Sequence, residues 1–232
     1  MNNTIFGILE YLLSVPAVLL ALTVHELCHG LVAYWMGDNT AKNMGRLTLN
    51  PLRHIDPIGF ICMVLCHFGW AKPVPINARN FKNPKVGMAL SSLAGPASNI
   101  LLGFIFMLLW RISFAITYAY PILVPGVGIM NIVNYFFVLA MQINIVFAVF
   151  NLIPVPPLDG SRILFTFLPP KQYFSIMRYE KQIMLGFLLF IIVDRYLISN
   201  VIGISILGTV LGYAANFIIN AFSQIIDFIP FL

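Results

Sequence analysis

Long apolar stretches alternate along this chain with short polar ones rich in proline, glycine and basic residues. The apolar stretches run from about Ile5 to Met36, Ile58 to Trp70, Val86 to about Tyr120, Val127 to Ile153, Ile183 to Ile198 and Val201 to Ile226. A helix needs about twenty residues to cross the hydrocarbon core of a bilayer, so the pattern predicts an all-α polytopic membrane protein with about five to six transmembrane helices. The second stretch is too short to span comfortably, and its Gly59, Cys62, His67 and Gly69 do not suit a lipid-facing helix. Between the first stretch and the second, Gly45, Asn50, Pro51 and Pro57 break up a run containing Leu47, Thr48 and Leu49. That pattern predicts a short strand or β-hairpin.

Composition agrees: 60% of the residues are hydrophobic and 9% are charged, against about a quarter charged in a soluble domain. No Lys or Arg precedes Ile5, and no small-residue cleavage site follows it, so the first stretch reads as a retained helix and not a signal peptide. Cys28, Cys62 and Cys66 have no disulfide-framework spacing. Cys62, Cys66 and His67 could be drawn as a second metal site, but in an apolar segment small buried filler is the better reading.

The net charge of +5 does not point to nucleic acid, because the basic residues are scattered through membrane-flanking segments. Lys42, Arg46 and Arg53 lie in 37–57, Lys72, Arg79, Lys82 and Lys85 in 71–85, and Arg162, Lys171, Arg178 and Lys181 in 157–182. The positive-inside rule puts all three segments in the cytoplasm. The first two share a side only if the residues between them enter and leave there, as a re-entrant element buried in protein or lining a wet cavity. The threading that follows has its N-terminus outside and ends in a C-terminal helical hairpin, within 171–232, that returns the chain inside. With no repeat or long linker, residues 1–232 read as one membrane-embedded domain.

The chemistry begins at His25-Glu26-Leu27-Cys28-His29. Two histidines at i and i+4 on a helix project from one face and can both present a nitrogen to one zinc ion. Glu26 stands beside them, able to take a proton from a metal-activated water. The rival reading is a histidine pair packed inside a helix bundle, which must account for two imidazoles and a carboxylate in apolar sequence, each costly there without a partner or metal.

A catalytic zinc site has three protein ligands and an open position. Glu10 lies about four turns from His25 and is out of reach. Asp38 and Asp56 stand in turn sequence where capping is expected, Asp194 adjoins Arg195 and reads as paired with it, Glu180 lies among Arg178 and Lys181, and Asp227 is near the terminus. Asp159 differs, because Asn151-Leu-Ile-Pro-Val-Pro-Pro-Leu-Asp-Gly160 breaks a helix with three prolines and leaves irregular chain at membrane depth beside a carboxylate. An intramembrane carboxylate is a functional candidate. Its alternative is an N-cap for a helix starting near Ser161.

The two motifs in this order resemble the site-2 protease family of intramembrane zinc metalloproteases, peptidase family M50. The resemblance takes in Gly95-Pro-Ala-Ser-Asn99 and Phe68-Gly-Trp-Ala-Lys-Pro-Val-Pro-Ile-Asn77, so it covers roughly the first 170 residues, the motif-bearing core. It is closest to compact members that carry no PDZ-like insertion between the motifs and no nucleotide-sensing pair of C-terminal domains. The resemblance implies one zinc ion per chain on His25, His29 and Asp159, with Glu26 activating water, and cleavage of a membrane-spanning substrate within or near its helix after local unwinding. Asn99 and Asn151 match family positions near the active site, where substrate binding or oxyanion stabilisation competes with an inter-helix hydrogen bond. His54, in a segment resembling the family's cytoplasmic-side sheet, reads as structural or substrate-proximal.

The expected partners are transmembrane protein substrates, a membrane-protein regulator and the lipid bilayer, with no nucleic acid. The expected location is the cell membrane, the active site toward the cytoplasmic half. Two other classes compete: a metal-binding membrane transporter, which leaves Glu26 without a special role, and a non-proteolytic binder of membrane proteins, against which the intact His25, Glu26, His29 and Asp159 argue.

Overall fold

A computed structural model describes residues 3–59, 71–119 and 127–228. The elements are α1 (Asn3–Trp35), α2 (Thr40–Asn43), α3 (Pro84–Ala119), α4 (Val127–Asn151), α5 (Asp159–Phe165), α6 (Pro170–Arg178), α7 (Glu180–Val193), α8 (Ser199–Ile202) and α9 (Ile206–Asp227). Five stretches are long and apolar enough to cross a membrane: Gly7–Trp35, Pro84–Thr117, Gly128–Asn151, Glu180–Ile202 and Ile206–Asp227. The protein is an all-helical, multi-pass membrane protein, and the described residues contain no strand.

Antiparallel α1, α3 and α4 form the frame. A Cβ on Gly103 of α3 would lie 2.7 Å from the side chain of Ile145 on α4, so glycine here is what lets the two helices approach. Small residues at a helix contact gain van der Waals packing that lipid tails cannot match. Ala17, Phe106, Met107, Ala140, Met141, Ile145, Ala215 and Ile226 make one buried apolar cluster from α1, α3, α4 and α9.

At the C-terminal end, α9 is placed by its contacts with α3. Phe104 meets Phe222 with ring centroids 5.0 Å apart, and farther along both helices Arg111 pairs with Asp227. α9 therefore runs in the same direction as α3, away from the end of the bundle that carries His25. Ile191 of α7 walls the same cavity as Leu207 and Leu211 of α9 and His54. Asp194 explains the turn. It is buried and, instead of pairing with Arg195, accepts from the Ser205 hydroxyl, from Ile206 N at 2.7 Å and from Leu207 N at 3.2 Å, satisfying orphan donors at the α9 N-terminus.

The expected strand at Leu47 to Leu49 is also replaced, by turns in which the Thr48 carbonyl is taken up by His54 Nε2 at 2.9 Å. Residues 60–70, most of the expected re-entrant element, lie outside the described residues. Its two ends do meet: Ile55 and Ala71 form an antiparallel bridge, and Lys72 N donates to His54 O at 2.8 Å. The chain thus leaves and returns at one place.

Candidate metal centre

The site is assembled where α1, α3 and the irregular chain after α4 converge. Helical spacing turns His25 and His29 to the same side of α1, and their rings lie edge to face with centroids 4.4 Å apart. α3 comes within contact of both because residue 95 is glycine: a Cβ there would fall 2.4 Å from His29 Cε1 and 2.6 Å from His25 Cε1. Pro96 follows, lacking the N–H that would bond the Ser92 carbonyl and crowding that turn. In the same turn the Ser91 carbonyl accepts from His29 Nδ1 at 2.6 Å.

The third side chain arrives through a second glycine. The backbone of Gly160 packs so tightly on the end of α4 that a Cβ would lie 2.2 Å from Leu152 O. Asp159 is the first residue of α5 but not its cap; the cap position is Leu158, which makes no side-chain cap bond. The Asp159 carboxylate points to the histidines instead, with Oδ2 3.1 Å from His25 Nε2 and 3.2 Å from His29 Nε2. One ligand atom from each of the three residues lies within 4.8 Å of the others.

The hydrogen bonds behind the ring nitrogens test whether a cation fits. A backbone carbonyl only accepts, so His29 carries its proton on Nδ1 toward Ser91. His25 Nδ1 lies 2.6 Å from Asn99 Oδ1, while Asn99 Nδ2 donates to Ala21 O at 3.1 Å and to Asn144 Oδ1 at 2.8 Å. With each Nδ1 engaged from behind, the two Nε2 atoms face the same Asp159 carboxylate oxygen, so that one cation could be shared by all three ligand atoms. Two imidazoles and one carboxylate with an outer set of hydrogen bonds are a donor set zinc accepts.

Glu26 lines the same pocket, of about 380 Å³, but faces another partner: its Oε2 accepts from Val74 N at 2.7 Å. The Pro73-Val74-Pro75 stretch is extended, and the flanking prolines leave Val74 as the donor there. The stretch is itself tied back to the end of α1, because Asp38 accepts from Asn77 N at 2.7 Å, Asn80 Nδ2 at 2.7 Å and Thr40 N at 3.0 Å. The capping role expected of Asp38 is thus joined by a tether to the wall of the site. Asp56 caps as expected, through Ile58 N and Gly59 N.

The other expected site residues separate. Asn99 is wholly buried behind His25 with its amide engaged on both atoms, including an inter-helix hydrogen bond to Asn144. Asn151 does line the pocket, its Nδ2 donating to Phe147 O one turn back at 3.0 Å. His54 is buried beside a neighbouring cavity of about 510 Å³, its Nδ1 without a partner among the described residues. Sequence reading missed Val74, Asn144 and Ser91, which act through backbone groups or behind a ligand. Asn144 left one trace, an asparagine amid the apolar run of α4.

Fold and donor set together define a multi-pass membrane protein with a metallopeptidase-type site. The model of peptidase family M50 matches residues 14–193, and the chain belongs to that family. It is 39% identical to YwhC of Bacillus subtilis over 91% of each chain, and that relative is named as a zinc metalloprotease. Rip2 of Mycobacterium tuberculosis H37Rv is 28% identical over 77% of this chain and 66% of its own. MJ0611 of Methanocaldococcus jannaschii is 28% identical over 68% and 72%. Both are likewise named as zinc metalloproteases. No solved structure gives a significant match.

Proposed function

We propose that this protein is an intramembrane zinc metalloprotease of the site-2 protease type, which hydrolyses peptide bonds within or near transmembrane segments of membrane-protein substrates. The observation that carries the reading is the convergence of His25, His29 and Asp159 on one point with Glu26 in the same pocket, in a chain of apolar helices belonging to a peptidase family.

His25, His29 and Asp159 would hold one zinc ion. When bound, zinc supplies Lewis-acid polarisation of the scissile carbonyl and acidifies a water molecule. Val74 N holds Glu26 Oε2, leaving Oε1 to take a proton from the attacking water and deliver it to the departing amine. Asn151 is suited to an unwound substrate strand or the developing oxyanion, since the helix bond it makes to Phe147 O uses only one N–H of its amide.

The substrate's apolar part lies in the cavity beside His54. That cavity shares Leu22, Ala71, Phe147, Phe150 and Ile191 with the zinc pocket, and its walls offer chiefly aliphatic and aromatic surface. The basic segments at 71–85 and 157–182 support an active site toward the cytoplasmic half of the cell membrane. The His54 imidazole borders the passage from that side.

The test is to co-express the chain with a panel of tagged single-span membrane proteins and compare it with Glu26→Gln. Loss of cleavage with zinc content unchanged near one per chain supports the mechanism. Cleavage that persists in Glu26→Gln removes Glu26 from its role, and zinc kept at full occupancy in Asp159→Ala removes Asp159 from the ligand set.

A further inference from the structure

We propose that Asn144, in the middle of α4, is a positioning residue for the metal site, fixing through Asn99 the tautomer and orientation of His25. The inference rests on the zinc reading above and assigns a role to a residue that does not touch the pocket.

Asn99 and Asn144 are both fully buried, on facing helices. Their surroundings are apolar: Ile145 and Ala140 adjoin Asn144, and Ala21 lies across from Asn99. Two amides in such a place are costly unless every polar atom finds a partner. Here the partners form a directed chain. The Ala140 carbonyl can only accept, so Asn144 gives it Nδ2–H at 2.8 Å and turns Oδ1 toward α3. Asn99 answers with Nδ2–H at 2.8 Å, gives its other N–H to Ala21 O at 3.1 Å, and is left with Oδ1 facing His25 at 2.6 Å. His25 must then carry its proton on Nδ1 and leave an Nε2 lone pair for the metal.

A rotated Asn99 amide would offer His25 an N–H in place of an oxygen, and the imidazole would place its proton on Nε2, where it blocks coordination. Asn144 opposes that rotation, because a turned Asn99 would set its oxygen against Asn144 Oδ1. His29 needs no such relay, since Ser91 O instructs it directly at 2.6 Å. An ordinary inter-helix hydrogen bond would join Asn99 to Asn144 and end there; this one continues, with fixed polarity, into a metal ligand.

The test uses the full chain in detergent, with apparent zinc affinity measured by chelator competition and ligand geometry read from the visible spectrum of the cobalt-substituted protein. Asn144→Leu is expected to weaken zinc binding about tenfold and alter the cobalt spectrum. Asn144→Asp keeps an acceptor for Asn99 Nδ2, and is expected to stay within about threefold of wild type. In an Asn99→Ala background, Asn144→Leu is expected to add no further loss. Wild-type zinc binding with an unchanged Asn144→Leu overturns the relay alone, as does an Asn144→Asp as impaired as Asn144→Leu, or losses from the two sites that simply add. A wild-type chain that retains no zinc overturns the relay and the protease reading together.

Discussion

The backbone N–H of Val74 donates to Glu26 Oε2 at 2.7 Å, so the carboxylate proposed to handle the proton is oriented by a loop 48 residues away in sequence and not by its own helix. The proline on either side of Val74 keeps that N–H in an extended segment and removes competing donors.

Val74→Pro deletes the donor without adding charge. A hydrogen bond to a charged group contributes about 1.5–3 kcal/mol, so cleavage of a reporter substrate should fall by about 10- to 100-fold while zinc content holds. Val74→Ala keeps the N–H and should retain most activity. Equal rates for the two variants would separate Glu26 from the loop.

Gly95→Ala should damage the metal site directly, since its Cβ would sit 2.4–2.6 Å from imidazole atoms of His29 and His25. Flexible side chains can yield, but these two are fixed from behind by Ser91 and Asn99. Zinc measured by elemental analysis should drop well below one per chain. Gly160→Ala meets the Leu152 carbonyl at 2.2 Å, which is backbone, and is expected to lower both zinc content and thermal stability.

Asp38 makes a prediction in pH. Burial raises the affinity of its carboxyl for a proton, but hydrogen bonds from Thr40, Asn77 and Asn80 outweigh it and hold the group below its ordinary value. A carboxyl depressed on folding contributes stability that is present above its unfolded pKa of about 4 and is lost as pH falls through the lower folded value. Asp38→Asn should lower the melting temperature at neutral pH, and that deficit should shrink on acidification below about pH 4. A deficit independent of pH would assign the loss to packing.

The Arg111–Asp227 pair and the Phe104–Phe222 contact set a topology. In a cysteine-free background, a cysteine at Phe228 should be labelled by an impermeant reagent from the side opposite to cysteines at Lys82 and Lys171. Those two share a side, since Lys85 Nζ donates to Leu168 O at 2.9 Å. Labelling of all three from one side would overturn this topology.

The long helices and the zinc box were legible because their signals are local. Apolar runs give spans, and a spacing of four gives the shared face of His25 and His29. Asp159 was legible because three prolines exclude a lipid-facing helix. Two kinds of feature were not. For Asn99 a substrate or oxyanion role and an inter-helix hydrogen bond stayed open, because sequence does not say which side of a ligand a neighbour occupies, and its place behind His25 follows from how α3 crosses α1. The packing of α9 was not legible, because charge orients only loops, whereas its place depends on Asp194 binding the helix N-terminus within twelve residues and on aromatic packing on α3.

The donors of the metal site stand 134 residues apart, from His25 to Asp159, with α3 and α4 between them. A nascent chain of this protein therefore holds two histidines and the glutamate from early in its synthesis but lacks the carboxylate that completes the set until both intervening helices have been made and inserted.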